Sequence, residues 1–414
     1  MTLPLAVRQN DSLYLALIVL FALGLRIGYN LIFVAPGYLP ELDAREYSDI
    51  ASSLASGEGY RLSSGQYTAI RPPLFPLLLA GVYRLCGAEN YVAGLTLEAL
   101  LGSLVCAAAY SVARSLGGVA AGRISAFIVA TYPLLIYPST SLLSEPLFAL
   151  LVTCASAAAL RTLDHPRWTS YVSTGAWIGL AWLTRPNGAA LLPFVALWLL
   201  IASRSALRTR CAGIALLVAV SLTVAAPWIV RNYLVMGKLI PTTTMSGAVL
   251  FGSNNERILT EPDLRGDWVS PCEVPGAGWT CTLDEIGRDE AWSKLGRNFI
   301  IAHLSDLPKM VWWRFEKFWH LYPFRHGFPE VVGHVYYVAV ATFAIMGTWL
   351  LRRQWRKAGV LWSVVACFLV TGLIFWGGFR IRMPAEPALI ALAAVALAST
   401  PKLVRAHRSR QQEC

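Results

Sequence analysis

The chain has 414 residues, 56% of them hydrophobic and 14% charged, with a formal net charge of +11 and a mean hydropathy of +0.53. Soluble domains are seldom so apolar, and no long polar stretch marks a soluble unit, so one polytopic membrane domain over 1–414 is expected. Nucleic-acid binding is not implied by the charge, because the basic residues fall in short clusters between apolar runs, as membrane topology signals do.

In chain order, apolar runs able to cross a bilayer are Leu13 to Ala35, Tyr91 to Ala113, Val119 to Pro138, Pro146 to Leu160 and Ser170 to Leu183. Gly188 to Ala202, Cys211 to Val230, Val332 to Leu351, Ala358 to Trp376 and Pro387 to Thr400 follow. About 20 residues span a 30 Å core, and some of these runs are shorter. In lipid a helix satisfies its own backbone, so the class is all-α with about ten transmembrane helices. The first run reads as an anchor, since no cleavable signal peptide is evident. Pro72 to Leu85 is short and begins with two prolines, and Leu307 to Tyr322 is rich in Trp but broken by Lys309, Arg314, Glu316 and Lys317. Both are expected to be interfacial or re-entrant helices. The 15 Trp and 16 Tyr suit interfacial belts.

With those two segments excluded, one set of loops holds Arg114 and Arg123, Arg161 and Arg167, Arg204, Arg208 and Arg210, then Arg352, Arg353, Arg356 and Lys357, and finally Lys402 to Arg410. The positive-inside rule makes that side cytoplasmic, with both termini on it. The opposite side collects a first outer loop, Pro36 to Asn90, the turns at Ser144-Glu145 and Arg185-Pro186-Asn187, a long loop from Arg231 to Met310, and Gly377 to Glu386. Chemistry placed there has no direct access to cytosolic nucleotide sugars or ATP. Cys272 and Cys281 flank a Gly/Pro-rich stretch of the long loop and suit a disulfide in an oxidising compartment.

Three features carry chemistry. Asp43, in Asp43-Ala44-Arg45-Glu46-Tyr47, begins an expected amphipathic helix to about Ala55, with Tyr47, Ile50, Ala51 and Leu54 on one face. Asp43 and Glu46 also fit a capping box, and a capped carboxylate is held as rigidly as a general base requires. Glu145, in Ser144-Glu145-Pro146, fits a capped helix start as well as a site acid, and an ionised acid near a bilayer invites a cationic or hydroxyl partner. Arg71, Arg185, Arg231, Arg380 and Arg382 lie at helix ends on the side where basic residues are normally sparse. Snorkelling or pairing explains one such residue; several converging would clamp a phosphate.

These segments belong to a longer series: Gly57-Glu58-Gly59-Tyr60, Arg71-Pro72-Pro73-Leu74-Phe75-Pro76, Ser144-Glu145-Pro146-Leu147-Phe148 and Leu183-Thr184-Arg185-Pro186. Ala226-Pro227-Trp228-Ile229-Val230-Arg231-Asn232-Tyr233, Gly252-Ser253-Asn254-Asn255 and Phe379-Arg380-Ile381-Arg382-Met383-Pro384-Ala385-Glu386-Pro387 complete it. In order and spacing the series resembles the polytopic GT-C-fold glycosyltransferases, in the branch of the protein O-mannosyltransferases and lipid A aminoarabinose transferases. The resemblance runs from the first span to about Pro387. It implies a polyprenyl-phosphate-linked sugar donor and an acceptor hydroxyl or phosphate outside the membrane. It also implies an acid near the anomeric carbon, Asp43, and a second acid at a helix start, Glu145. Some relatives carry C-terminal soluble domains that select acceptors. The chain ends soon after its last run, so the 231–310 loop is expected to take over part of that role.

The reading is an inverting transferase at the outer face of a bacterial cytoplasmic membrane, with Asp43 as base and Arg71 and Arg231, helped by Arg380 or Arg382, stabilising the leaving phosphate. Arg185 and Glu46 join the substrate site. Glu145 holds the first-loop helix or a sugar hydroxyl, and Tyr47 and Tyr60 either contact the donor or pack. Asp43 and Glu145 could share a divalent metal, although no ligand set is legible. The alternative is a lipid-linked-sugar flippase, which would place polar groups near the midplane in repeated halves; no repeat is visible. A receptor-like or assembly subunit predicts no reaction at all.

Overall fold

Helices make up most of the described backbone in the computed structural model, which describes residues 9–34, 37–319 and 328–412. They are α1 (Gln9–Phe33), α2 (Asp43–Ser56), α3 (Leu74–Cys86), α4 (Tyr91–Thr131), α5 (Pro133–Ile136), α6 (Glu145–Asp164), α7 (Trp168–Trp182), α8 (Asn187–Ala202) and α9 (Leu207–Met236). Then follow α10 (Ser246–Gly252), α11 (Glu256–Thr260), α12 (Glu285–Ala302), α13 (Leu307–Trp319), α14 (Phe328–Leu350), α15 (Trp355–Ile374), α16 (Phe379–Arg382) and α17 (Glu386–Gln412). Ala35, Pro36 and Tyr322, which bound three of the expected segments, lie outside the described residues.

Among the described residues six stretches, not ten, are long and apolar enough to cross a membrane: Asp11–Phe33, Tyr91–Thr131, Glu145–Asp164, Leu207–Met236, Val331–Ile374 and Phe379–Thr400. Two of them double back. In α4, Gly118 takes φ 80°, a left-handed conformation open to glycine at no steric cost. Beyond it a Cβ added to Gly122 would lie 3.0 Å from the Tyr110 carbonyl, whereas twelve residues of straight helix would separate them by about 18 Å. Likewise Trp362 Nε1 donates to Thr348 Oγ1 at 3.1 Å, so α14 and α15 form a hairpin. The two remaining expected spans, α7 and α8, have 15 and 16 residues, fewer than the roughly 20 a straight crossing needs.

Helix α17 lies at the centre, packed on α4 and α14, with Ala391, Leu392, Ala393 and Ala394 fully buried. Small side chains there let helices approach closely where apolar burial gives no driving force against lipid. The two ends of the bundle differ in charge. At one end Arg123 and Arg114 meet Asp11 at 2.9 and 3.5 Å beside the Gly118 turn, and Lys357 meets Asp164 at 2.8 Å. The starts of α6 and α17 and the ends of α7 and α9 lie at the other end, with α2 and α3.

The segment between α9 and α14 builds a second small core from Ala248, Phe251, Ile258, Val269, Val274, Ala277, Trp292 and Met310. It begins later than the sequence suggested: α9 continues through Met236, so Arg231 is helical. Cys272 and Cys281 are disulfide-bonded, with Cα atoms 6.0 Å apart. A loop this short stabilises its unit by about 2–3 kcal/mol in the chain-entropy model. Reductant, or the Cys272→Ser/Cys281→Ser pair, should therefore make this unit open to limited proteolysis at a lower temperature than the helical bundle. Identical cleavage profiles with and without the bond would refute the stabilising role.

Candidate active site

The site grows from a strained turn. Leu42, an exposed non-glycine residue, sits at φ 48°, ψ −123°, a conformation that costs about 1–3 kcal/mol. Helix α2 starts directly after it, on Asp43. No side chain caps this helix; the expected capping box does not form, because both of its acids turn to an arginine instead. Asp43 Oδ1 accepts from Arg71 at 2.5 Å, and Glu46 Oε2 accepts from Arg71 Nε at 2.6 Å. The other end of α2 is closed in the usual way, by Gly57 in the left-handed region with its N–H on Leu54.

From Asp43 the network continues across the bundle. Arg380 donates to Asp43 Oδ2 at 2.9 Å and to Glu145 at 2.5 Å. Arg185 reaches the same Glu145 oxygen at 2.8 Å. Charges thus alternate along Glu46, Arg71, Asp43, Arg380, Glu145 and Arg185, which lets each desolvated carboxylate meet a cation. Glu145 is closed off, with 2% of its side chain exposed, whereas Asp43 retains 31% and Arg380 29%. The Asp43 side of the network is therefore the part open to solvent.

Burial pushes the Asp43 carboxyl up, but Arg71 and Arg380 outweigh burial and hold it well below the usual carboxylate range. At Glu46 burial prevails over Arg71, and its carboxyl lies above the ordinary value. Two acids on one arginine are thereby pushed apart, with Asp43 the firmly ionised member.

Tyr47 is buried. Its hydroxyl bonds to Ser144 Oγ at 2.9 Å, its ring lies 5.3 Å below the Arg71 guanidinium, and it packs edge-on against Phe75. Ser144, expected as a cap for α6, makes no capping bond and instead accepts from Arg185 at 3.3 Å. Tyr47 and Ser144 thus hold the two arginines from behind.

Three of the proposed substrate residues are placed elsewhere. Arg231 donates to the carbonyls of Thr68 at 2.7 Å and Tyr60 at 3.1 Å. Tyr60 packs edge-on against Trp228 and donates its hydroxyl to the carbonyls of Arg71 and Pro72. Both therefore brace the loop that presents Arg71. Arg382 is fully buried and pairs with Glu386 at 2.5 Å, away from Asp43. In the Gly252-to-Asn255 motif, Asn255 caps α11 and Asn254 accepts from Arg314; both are structural.

Two residues escaped the sequence reading. Glu285 of α12 accepts from Thr68 Oγ1 at 2.6 Å, Ala69 N at 2.8 Å and Thr244 Oγ1 at 2.5 Å, fastening the Arg71 loop to the second core. No local signal marks a contact spanning 216 residues. Glu98 is fully buried in α4, its carboxylate oxygens without hydrogen-bond partners among the described residues. An acid inside an apolar run is itself a signal of function, and it was legible.

The pair proposed to share a divalent metal, Asp43 and Glu145, is bridged by the Arg380 guanidinium. Among the described residues no three His, Cys, Asp or Glu side chains form a group that could hold a metal ion. The residues present therefore do not fit that metal site.

Residues 70–230 match the family model for dolichyl-phosphate-mannose-protein mannosyltransferase, and a search of curated proteins finds no match. Among solved structures, the archaeal oligosaccharyltransferase AglB from Archaeoglobus fulgidus, in complex with an inhibitory peptide and a dolichol-phosphate, superposes with a TM-score of 0.58 at 15% identity, covering 97% of this chain and 51% of its own. The apo form of the Archaeoglobus fulgidus enzyme gives 0.59 at 15% identity, with the same coverage. ArnT from Cupriavidus metallidurans bound to undecaprenyl phosphate gives 0.46 at 16% identity, covering 95% and 78%, too low a score to weigh. The chain spans about half the length of the archaeal enzyme. At these identities the likeness establishes architecture: the chain has the GT-C fold, with the mannosyltransferase family model matching its residues 70–230.

Proposed function

We propose that this chain is a membrane glycosyltransferase that moves a sugar from a polyprenyl-phosphate donor to a hydroxyl or phosphate acceptor at the outer face of a bacterial cytoplasmic membrane. The observation that carries the reading is Asp43 held between Arg71 and Arg380 at one end of a GT-C-fold bundle. The transfer is an inverting displacement. A hydroxyl acceptor's oxygen bonds to the anomeric carbon as its proton passes to Asp43; a phosphate acceptor, already ionised, is oriented there and gives up no proton. The bond from that carbon to the donor phosphate breaks, and its electron pair stays on the phosphate oxygen, facing Arg71 and Arg380. Glu145, with Arg185, fixes the far side of Arg380. Glu46 holds Arg71, and Tyr47, Tyr60 and Arg231 act through the protein rather than on the donor. The small core between α9 and α14 borders the Arg71 loop through Glu285 and is the proposed acceptor side. The purified full chain, incubated with undecaprenyl-phosphate sugars and candidate acceptors, should release undecaprenyl phosphate and form a glycosylated product by mass analysis. No release with any donor offered would count against an enzyme and favour the flippase.

The orientation rests on the basic clusters gathered at the end opposite Asp43. Single cysteines replacing Ser64 and Thr282 should react with an impermeant thiol reagent on intact spheroplasts, and one replacing Ala206 should not, in a background without other reactive thiols. All three positions are solvent-facing or exposed in the fold. Labelling at Ala206 alone would reverse the topology.

A further inference from the structure

Both oxygens of Asp43 are engaged, one by Arg71 and one by Arg380. Each guanidinium commits its Nε edge to a flanking acid, Glu46 for Arg71 and Glu145 for Arg380. Each then turns a terminal nitrogen to Asp43. Two guanidinium groups converging on a pair of oxygens form the arrangement that also receives a phosphate. A carboxylate with both oxygens held by cations is a weak base, because taking up a proton means giving up those contacts. In this structure the proposed base is therefore masked by the proposed phosphate clamp.

We infer that the donor's phosphate and the Asp43 carboxylate compete for the same Arg71 and Arg380 N–H groups, so that seating the donor is what releases the base. This rests on the reading of Asp43 as the base. The exposure pattern supports an exchange on this side of the network: Asp43 is partly open, while Glu145, on the other side of Arg380, is enclosed and stays in place. Glu46 and Glu145 keep hold of the two guanidinium groups after Asp43 lets go, so the clamp survives the exchange. A base unmasked by the leaving group ties deprotonation of the acceptor to the presence of a donor.

Competition is reciprocal: whatever weakens the carboxylate's hold must strengthen the phosphate's. Binding of undecaprenyl phosphate to the purified full chain should therefore be on the order of tenfold tighter in Asp43→Asn than in wild type, as the masked fraction is removed. Glu46→Gln removes a charge but keeps an oxygen on Arg71 Nε and leaves Asp43 in place, so it should tighten binding less. Undecaprenol, the same chain without phosphate, should bind all forms alike. Inorganic phosphate should displace the lipid only at far higher concentration; displacement at equal concentration would reassign the seat to a free anion and overturn the donor's role. Asp43→Ser gives the same reading if the Asn variant does not fold. Unchanged or weaker lipid binding in Asp43→Asn, with turnover lost, discards the competition and leaves the base assignment intact. Equal tightening in the Asp43 and Glu46 variants reduces the effect to general charge repulsion and also discards it. Normal turnover in Asp43→Asn fails the base reading itself, whatever the affinity.

Discussion

Asp43→Asn should lower turnover by about 10²–10⁴-fold, the range for losing general base catalysis. The side chain keeps its size. No capping bond is lost, since Asp43 makes none. Arg71 keeps Glu46, and Arg380 keeps Glu145, so neither guanidinium is stranded. Glu46→Gln is the comparison: its amide oxygen still accepts from Arg71 Nε, and the proposed base is spared. Initial rates in one detergent, with folding checked by thermal unfolding, separate the two. If Asp43→Asn turns over within a few-fold of wild type, Asp43 is not the base, and Glu145 becomes the next acid to test.

Arg382→Met should destabilise the protein by about 3–5 kcal/mol, the cost of leaving a buried charge without its partner. Both Arg382 and Glu386 are fully buried. Once Arg382 is gone, Glu386 retains the Tyr132 hydroxyl at 3.0 Å, which is not a counter-charge. The bond from Arg382 to the Phe318 carbonyl, which ties α13 to the helical bundle, is also lost. Removing both charges differs from removing one, because an apolar pair of similar volume needs no compensation. Arg382→Met combined with Glu386→Leu should therefore recover much of the loss. The readout is the midpoint of thermal unfolding in a fixed detergent. A single variant as stable as wild type, or a double variant no better than the single, would show that this pair is not the buried anchor the geometry describes. Turnover per folded molecule is the second readout. An arginine 4.4 Å from the Tyr337 ring and paired with Glu386 should affect how much protein is folded more than the rate of what remains.

Hydropathy and helical period are properties of neighbouring residues, and they determined what depends on neighbours. The all-α class follows from them, as does the placing of a helix on each expected apolar run. So do the amphipathic helix after Asp43, the short helices at Leu74–Cys86 and Leu307–Trp319, and the separation of the basic clusters from Asp43 and Glu145. Side-chain partnership was left to the tertiary structure, because a carboxylate pairs with whichever cation the packing brings near. Arg380 meets Asp43 across 337 residues, and no spacing rule reaches that far. Of five arginines at helix ends, the sequence put Arg71 and Arg231 first as the phosphate clamp. The fold sends Arg71, Arg185 and Arg380 to the acids, Arg231 to loop carbonyls and Arg382 to Glu386. The capping box failed for the same reason: a nearby guanidinium offers a carboxylate more than two backbone N–H groups do, once burial has removed the water that would have screened it.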